Sequence, residues 1–366
     1  MIAWPTAPYV AWARSRPPAK YDLVASDLVP ATAHEWPALC APADFYAADV
    51  DLDAALTAAI AAHCGVPVDH VVTAVGASGA NFLALATLLR PGDAVVVEDP
   101  GHAPLAMAAR AFGAQVIALP RLPARDYAVE PDALAAAITP RTRLVVLTRP
   151  HNPTGALIDT RSLEVIADVA ERARIHVLVD EVYLDAVGGT SLSPAAAVSE
   201  RFISTSSLTK AYGLVDLRCG WALAAPGVAA RMRAAGAVVA PAPAASQRLA
   251  LRAFADLSRL ADRARRIIVS NRIRLQRTLA GRDDLGWTAP AGGTVAFPEL
   301  RRVADVDAFV DRLLIERHTA VVPGRFFGRP RHIRIAFGMG AEELARGLDA
   351  LTAALDAAAH LETTRP

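Results

Sequence analysis

Lys210 stands in the run STSSLTKAYGLVDLRCGW, behind a cluster of hydroxyl residues and eight positions ahead of Arg218. A lysine in a partly desolvated pocket can lose its proton at neutral pH and form a Schiff base. Arginine cannot, because its guanidinium stays charged. Composition singles this lysine out: of 38 Lys and Arg residues only Lys20 and Lys210 are lysine, and 36 are arginine. A bias that replaces lysine wherever charge alone is needed spares a position that needs a primary amine. Lys20, in the N-terminal segment, reads as an ordinary surface cation.

Three other stretches carry residue types suited to chemistry. GASGAN (76–81) combines small residues, which let backbone N–H groups approach an anion, with the hydroxyl of Ser78. It opens a helix, whose N-terminal dipole favours negative charge; a tight strand-to-helix turn would read the same way. It is neither GxGxxG nor GxxxxGK[ST], which removes support for dinucleotide or nucleotide binding. RPHNPTG (149–155) uses two prolines and a glycine to fix a loop. That loop either presents Asn152 as a rigid hydrogen-bond donor or simply opens the next helix, with Thr154 near its cap. Asp180 ends the apolar run IHVLVD, where a carboxylate is costly unless it meets a cation or hydrogen bonds.

The elements that must position these residues are legible as alternating strands and helices. Strands are expected at Val71 to Val75, Ala94 to Asp99, Gln115 to Leu119, Leu144 to Thr148, Ile175 to Asp180, Phe202 to Ser206 and Cys219 to Ala224. Several are apolar throughout, as strands buried on both faces are. Helical patterns such as GANFLALATLLR and TRSLEVIADVAERAR lie between them. The alternation predicts an α/β fold with a mostly parallel seven-stranded sheet, covered by helices on right-handed crossovers. Ligands of such sheets bind beyond the carboxyl ends of the strands, where GASGAN, RPHNPTG, Asp180 and Lys210 all fall. After Pro243 the pattern changes to a long helix over Ala245 to Leu279, broken near Asp256 to Ser258, and then a smaller α+β unit. The expected organisation is 1–45 as an N-terminal arm or part of the small unit, 46–245 as the large domain, and 246–366 as the connecting helix and small C-terminal domain.

Composition excludes other classes. With 366 residues, 53% hydrophobic and 20% charged, the chain is globular, not disordered. A net charge of +1 argues against an electrostatic nucleic-acid binder. Cys40, Cys64 and Cys219 form neither a disulfide framework nor a CxxC metal pattern. No signal peptide and no spanning segment is read, so the expected setting is cytoplasmic, with no membrane partner.

GASGAN, DPGH, RPHNPTG, DEVY, SLTKAYGLVDLR and HIRIAFG, in this order and at these separations, resemble the class I/II aminotransferases. These are pyridoxal-phosphate (PLP) enzymes of fold type I, and the resemblance runs from about Tyr46 to the C-terminus. It implies that Lys210 holds PLP and shuttles protons, and that Asp180 pairs with the pyridinium nitrogen, which makes the ring a better electron sink. Tyr183 and Asn152 match the groups that hydrogen-bond the ring's phenolic oxygen. Gly76, Ala77 and Ser78, with Ser207, Thr209 and Arg218, match the phosphate cup. Arg334 matches the arginine that clamps the substrate α-carboxylate, beside Asn152; a bidentate pair there gives affinity and orientation together. A homodimer with active sites at the subunit interface is implied too.

The departures are informative. His102 stands where an aromatic ring usually stacks on the cofactor; it serves as a platform or marks altered chemistry, since imidazole also exchanges protons. Tyr46 matches loosely a tyrosine that reaches a neighbouring subunit's PLP phosphate, with core packing as its other reading. Arg325, in VVPGRFFG, falls in a loop that borders the substrate in this family; it either meets a substrate side-chain carboxylate or, the preferred reading, is a surface arginine. The expected function is PLP-dependent transfer of an amino group from an amino acid to a 2-oxo acid. The alternative is another fold type I reaction (lyase, decarboxylase, cyclase or oxidase) on the same cofactor residues. A PLP-binding regulator with a DNA-binding module is not expected, because the N-terminal segment reads as too short and too Pro-rich for a winged helix-turn-helix and the net charge is only +1; an NAD-linked oxidoreductase lacks its glycine motif.

Overall fold

Val95 to Val97, Leu144 to Leu147 and Val177 to Val179 are β-branched or leucine residues, each at most 5% exposed. They form adjacent strands of one sheet, and successive side chains point to opposite faces. Val95, Val97, Leu144, Val146, Leu178 and Ile203 pack under helices on one face. Val96, Val145, Leu147, Val177, Val179 and Phe202 pack under helices on the other. This two-sided burial explains why the runs are continuously apolar instead of alternating.

The computed structural model describes residues 7–39, 51–187, 192–239 and 241–363. Its main sheet has seven strands, in the spatial order Val71–Val75, Cys219–Leu223, Phe202–Ser207, His176–Asp180, Thr142–Thr148, Ala94–Asp99 and Gln115–Pro120. All seven expected strands are present, with ends shifted by no more than two residues. The sheet is mostly parallel, but Cys219–Leu223 runs antiparallel to both its neighbours. That reversal places the loop 208–218, with Lys210, at the carboxyl end of the parallel strands. Among the described residues, no helix is long and apolar enough to cross a membrane.

Beyond the sheet, helices Ala244–Ala255 and Leu257–Leu279 meet at Asp256, as the sequence pattern indicates. A smaller three-stranded sheet joins Val295–Ala296, Ile333–Ala336 and Val322–Pro323, with Ile333–Ala336 in the middle. Helices Val306–Arg317 and Ala341–Thr363 accompany it. The N-terminal segment, which carries little periodicity, contains a helix over Pro8–Ser15. It then pairs Tyr21–Asp22 in parallel with Thr319–Ala320. Asn271 of the long helix donates to the carbonyls of Phe337 and Met339, tying that helix to the end of the middle strand.

Candidate active site

Register builds the deepest part of the site. Thr148, Asp180 and Thr205 stand side by side on three neighbouring strands. Helix Gly76–Leu88 begins directly after its strand and presents Asn81 to them. Asn81 Nδ2 donates to Asp180 Oδ2 at 2.8 Å, and Asn81 Oδ1 accepts from Thr205 Oγ1 at 2.6 Å. Asp180 is 7% exposed. Desolvation pushes its carboxyl pKa up, against the lowering effect of the Asn81 bond. The carboxylate that the sequence marked as costly thus finds its hydrogen bonds. Among the described residues it forms no ion pair, although the Lys210 charge acts on it to lower its pKa.

Two buried ion pairs brace the strand ends. Arg121 pairs with Glu98 at 2.7 Å, and Glu98 also accepts from Thr148. Arg149 pairs with Glu181 at 2.9 Å and donates to the carbonyl of Ile158. Within RPHNPTG, Thr154 bonds the His151 ring at 2.7 Å, and the cap of the following helix is Asp159, not Thr154. The loop therefore does present Asn152, whose N–H is held by Thr148 Oγ1 at 2.9 Å.

The opposite end of the site is made where two strands meet. Gly76 N–H donates to the Arg218 carbonyl at 2.7 Å, and Arg218 adopts a left-handed backbone, φ 48°. The Arg218 guanidinium lies against Gly76 so closely that a Cβ there would sit 2.5 Å from its Nη2. Gly220 answers the same need, because its Cβ would meet the Gly76 backbone at 2.2 Å. Ala77, Ser78, Ser207, Thr209 and Arg218 line this end of a cavity of about 240 Å³.

Lys210, His102, Asn152, Asp180, Tyr183 and Arg334 line the same cavity. The structure thus brings together every described residue of the expected cofactor and substrate set, with Gly76 directly behind Arg218. Tyr46 lies outside the described residues. Arg325 pairs with Asp307 and covers the Phe326 ring at 4.5 Å, consistent with a surface role. Arg334, 1% exposed, donates to Asn152 at 3.2 Å, to the Tyr9 hydroxyl at 2.8 Å and to the Val24 carbonyl at 2.9 Å. Its Nε is left without a partner. His102 Nδ1 is sealed and unpartnered, and the ring pKa falls to about 3 through desolvation and the nearby cations Arg334 and Lys210.

Lys210 Nζ pairs with Asp27 at 2.7 Å and donates to Ser26 at 3.3 Å. Burial would lower its pKa, but Tyr183 and Asp27 outweigh that, and the net direction is up. Asp27, Ser26, Tyr9, Thr148 and Asn81 are contributions the sequence reading missed. Asn81 was within reach, one turn past the start of GASGAN. Asp27 carried a fainter signal, a carboxylate inside the otherwise apolar run LVASDLVP.

Comparison with known proteins places these features in context. The sequence profile described as aminotransferase class I and II matches residues 27–351. Capreomycidine synthase of Streptomyces vinaceus is 34% identical over 320 residues, covering 82% of this chain and 78% of that protein. Arginine–pyruvate transaminase of Pseudomonas aeruginosa is 30% identical, covering 76% of this chain and 73% of its own. The solved structure of the PLP-dependent cyclase OrfR superposes with a TM-score of 0.86 at 28% identity, covering 96% of this chain and 97% of that one.

Proposed function

The chain belongs to the class I and II aminotransferases, and from that premise we propose that the cavity around Lys210 is where it works. It is a PLP-dependent enzyme that moves the amino group of an amino acid to a 2-oxo acid. The observation that carries the site is the set of buried polar atoms left without partners there. Tyr183 Oη, Thr209 Oγ1, His102 Nδ1 and Arg334 Nε are all sealed and unbonded around one cavity. Buried polar groups are rarely left so, and their placement fits a polar ring with an anionic group at one end.

When bound, PLP supplies an aldehyde that condenses with amines and a ring that draws electrons from the substrate Cα. The chain's own residues do the rest. Asp180, held by Asn81, supplies the carboxylate for the ring nitrogen. Tyr183 and Asn152 would donate to the ring oxygen, and His102 would offer its imidazole as a platform for the ring. The backbone of Gly76 to Ser78, with Ser207, Thr209 and Arg218, receives the phosphate at a helix N-terminus. Arg334 takes the substrate α-carboxylate, pre-aimed by Tyr9, Asn152 and the Val24 carbonyl. Lys210 Nζ would take the Cα proton and deliver it to the cofactor's former aldehyde carbon, after giving up its own proton and its ion pair with Asp27.

A 2-oxo acid acceptor accords with the likeness to a transaminase named for pyruvate. The test is a single turnover: the loaded enzyme given one amino acid should release the matching 2-oxo acid stoichiometrically and no ammonia. Release of ammonia with continued turnover in the absence of an acceptor overturns amino transfer. A second reading rests on His102. A neutral imidazole at the ring face can exchange protons that a plain platform cannot, which suits an elimination or cyclisation on the same cofactor. The likeness to a synthase and a cyclase supports it, and the same experiment separates the readings: elimination releases ammonia, and cyclisation releases neither ammonia nor the matching 2-oxo acid. Assembly as a homodimer belongs to the proposal as well. Val75, Phe82 and Val239, all partly exposed, share one apolar groove that a second copy would cover; sedimentation at monomer mass overturns it.

A further inference from the structure

Among the described residues, the carboxylates lining the cavity are Asp27 and Asp180. Asp180 is held by Asn81 and by the N–H of Val182. Asp27 is different: its ion-pair partner is Lys210, at 2.7 Å, and its Oδ1 receives no hydrogen bond beyond that contact. With the lysine amine bonded to the cofactor, its free ammonium would no longer be there to pair with Asp27. A partly buried carboxylate facing a cavity is costly without a cation.

The backbone around Asp27 is pinned, so the carboxylate cannot simply swing into solvent with its segment. The Ser26 carbonyl accepts from Thr294 at 2.6 Å. Leu28 N–H donates to the carbonyl of Lys210 itself, and Val29 N–H donates to Gly338 at 2.7 Å. The Asp27 carbonyl packs so tightly on Gly338 that a Cβ there would lie 2.4 Å away. Such anchoring preorganises a charge for a ligand.

The protein cations at the cavity are already assigned. Arg334 is bonded to Tyr9, Asn152 and Val24, and Arg218 lies against Gly76 at the far end. The substrate's α-amino nitrogen cannot serve either, because it is the group that reacts. We propose that Asp27 selects donor amino acids whose side chain ends in a cation, a guanidinium or an ammonium, by pairing with that group while Arg334 holds the α-carboxylate. This rests on the amino-transfer reading of the same cavity and names its substrate class.

The test uses unreactive ligands on the PLP-loaded enzyme. 5-Guanidinopentanoate keeps both charges and lacks the α-amino group; 5-ureidopentanoate is its neutral isostere. In calorimetric titration the guanidino acid should bind about tenfold or more tighter, the scale of a charge-assisted hydrogen bond. Asp27→Asn should erase that preference and leave the ureido affinity unchanged, whereas Asp27→Glu should keep part of it. Wild-type enzyme that binds both acids alike overturns the proposal, whatever the variants do. An Asp27→Asn enzyme weakened equally for both acids overturns it too, because Asp27 then acts through Lys210. If Asp27→Asn fails to fold, the wild-type pair and Asp27→Glu still decide. Titration needs no turnover, so failure of amino transfer is read separately from failure of this selectivity.

Discussion

The two walls of the cavity are built by different means. One is the row of strand ends, where Thr148, Asp180 and Thr205 are set by parallel register and stitched by Asn81 at 2.8 and 2.6 Å. The other is assembled from the N-terminal segment and the small sheet, where Arg334 meets Tyr9 across 325 positions of sequence. Strand register places a side chain as soon as the sheet forms. The second wall exists only when distant pieces dock. The difference suggests a division of labour: the sheet wall supports the common chemistry, and the docked wall reads the substrate. Irregular segments on a rigid scaffold are where specificity changes most cheaply.

The largest expected effect falls at the hinge between the walls. Lys210→Arg keeps a cation able to pair with Asp27, so folding should be preserved, with melting temperature near that of the parent. The transferable proton and the reactive amine are lost, and kcat should drop by roughly 10⁴-fold or more. The yellow absorption of lysine-bound cofactor should vanish with it. Retained activity would show that the chemistry does not run through Lys210.

The next effect tests the sheet wall alone. Asp180→Asn preserves shape but removes the carboxylate proposed for the ring nitrogen. kcat should fall roughly 10²- to 10³-fold, the scale of losing one preorganised electrostatic group, while KM for the amino acid moves little. Arg334→Lys tests the docked wall. It keeps a charge but not the fork geometry, so KM should rise by roughly 10²-fold with the cofactor's absorption unchanged. A KM effect from Asp180 or a cofactor effect from Arg334 would break the division of labour.

The same contrast governs what could be read from the sequence. The sheet wall was legible because its signals are local: continuous β-branched runs, a carboxylate closing one of them, small residues after another. Lys210 was legible for a compositional reason, as one of only two lysines. The docked wall was mostly not. Arg334 was found through a family motif, but Tyr9 and Asp27 sit in a Pro- and Trp-rich stretch without periodicity, and the site residues they bond, Arg334 and Lys210, lie far along the chain, 325 positions away in the case of Tyr9. The Asn81 link was missed because a side chain pointing across from a helix to a strand leaves no pattern along the chain. The antiparallel course of Cys219–Leu223 was missed for a similar reason: apolar content marks a strand, not its direction.

His102 shares the cavity with the cations Arg334 and Lys210, and its titration offers the smallest and most specific test. The ordinary pKa of 6.5 falls to about 3 in the folded protein, through desolvation first and then Arg334 and Lys210. Below pH 6.5 the unfolded chain takes up a proton that the folded protein refuses until about pH 3. The stability held above pH 6.5 is therefore lost as pH falls through that window, by up to about 1.4 kcal/mol per pH unit, a tenfold change in the unfolding constant. Other groups contribute slopes of their own: His332 is lowered to about 4, His151 is lowered as well, and Glu98 and Glu181 are raised. Those act alike in parent and variant, so the difference between wild type and His102→Phe isolates one imidazole. Urea unfolding on either side of pH 6 should show a steeper acid loss in the wild type. Equal slopes would mean that the ring is solvated and lies outside the grip of the two walls.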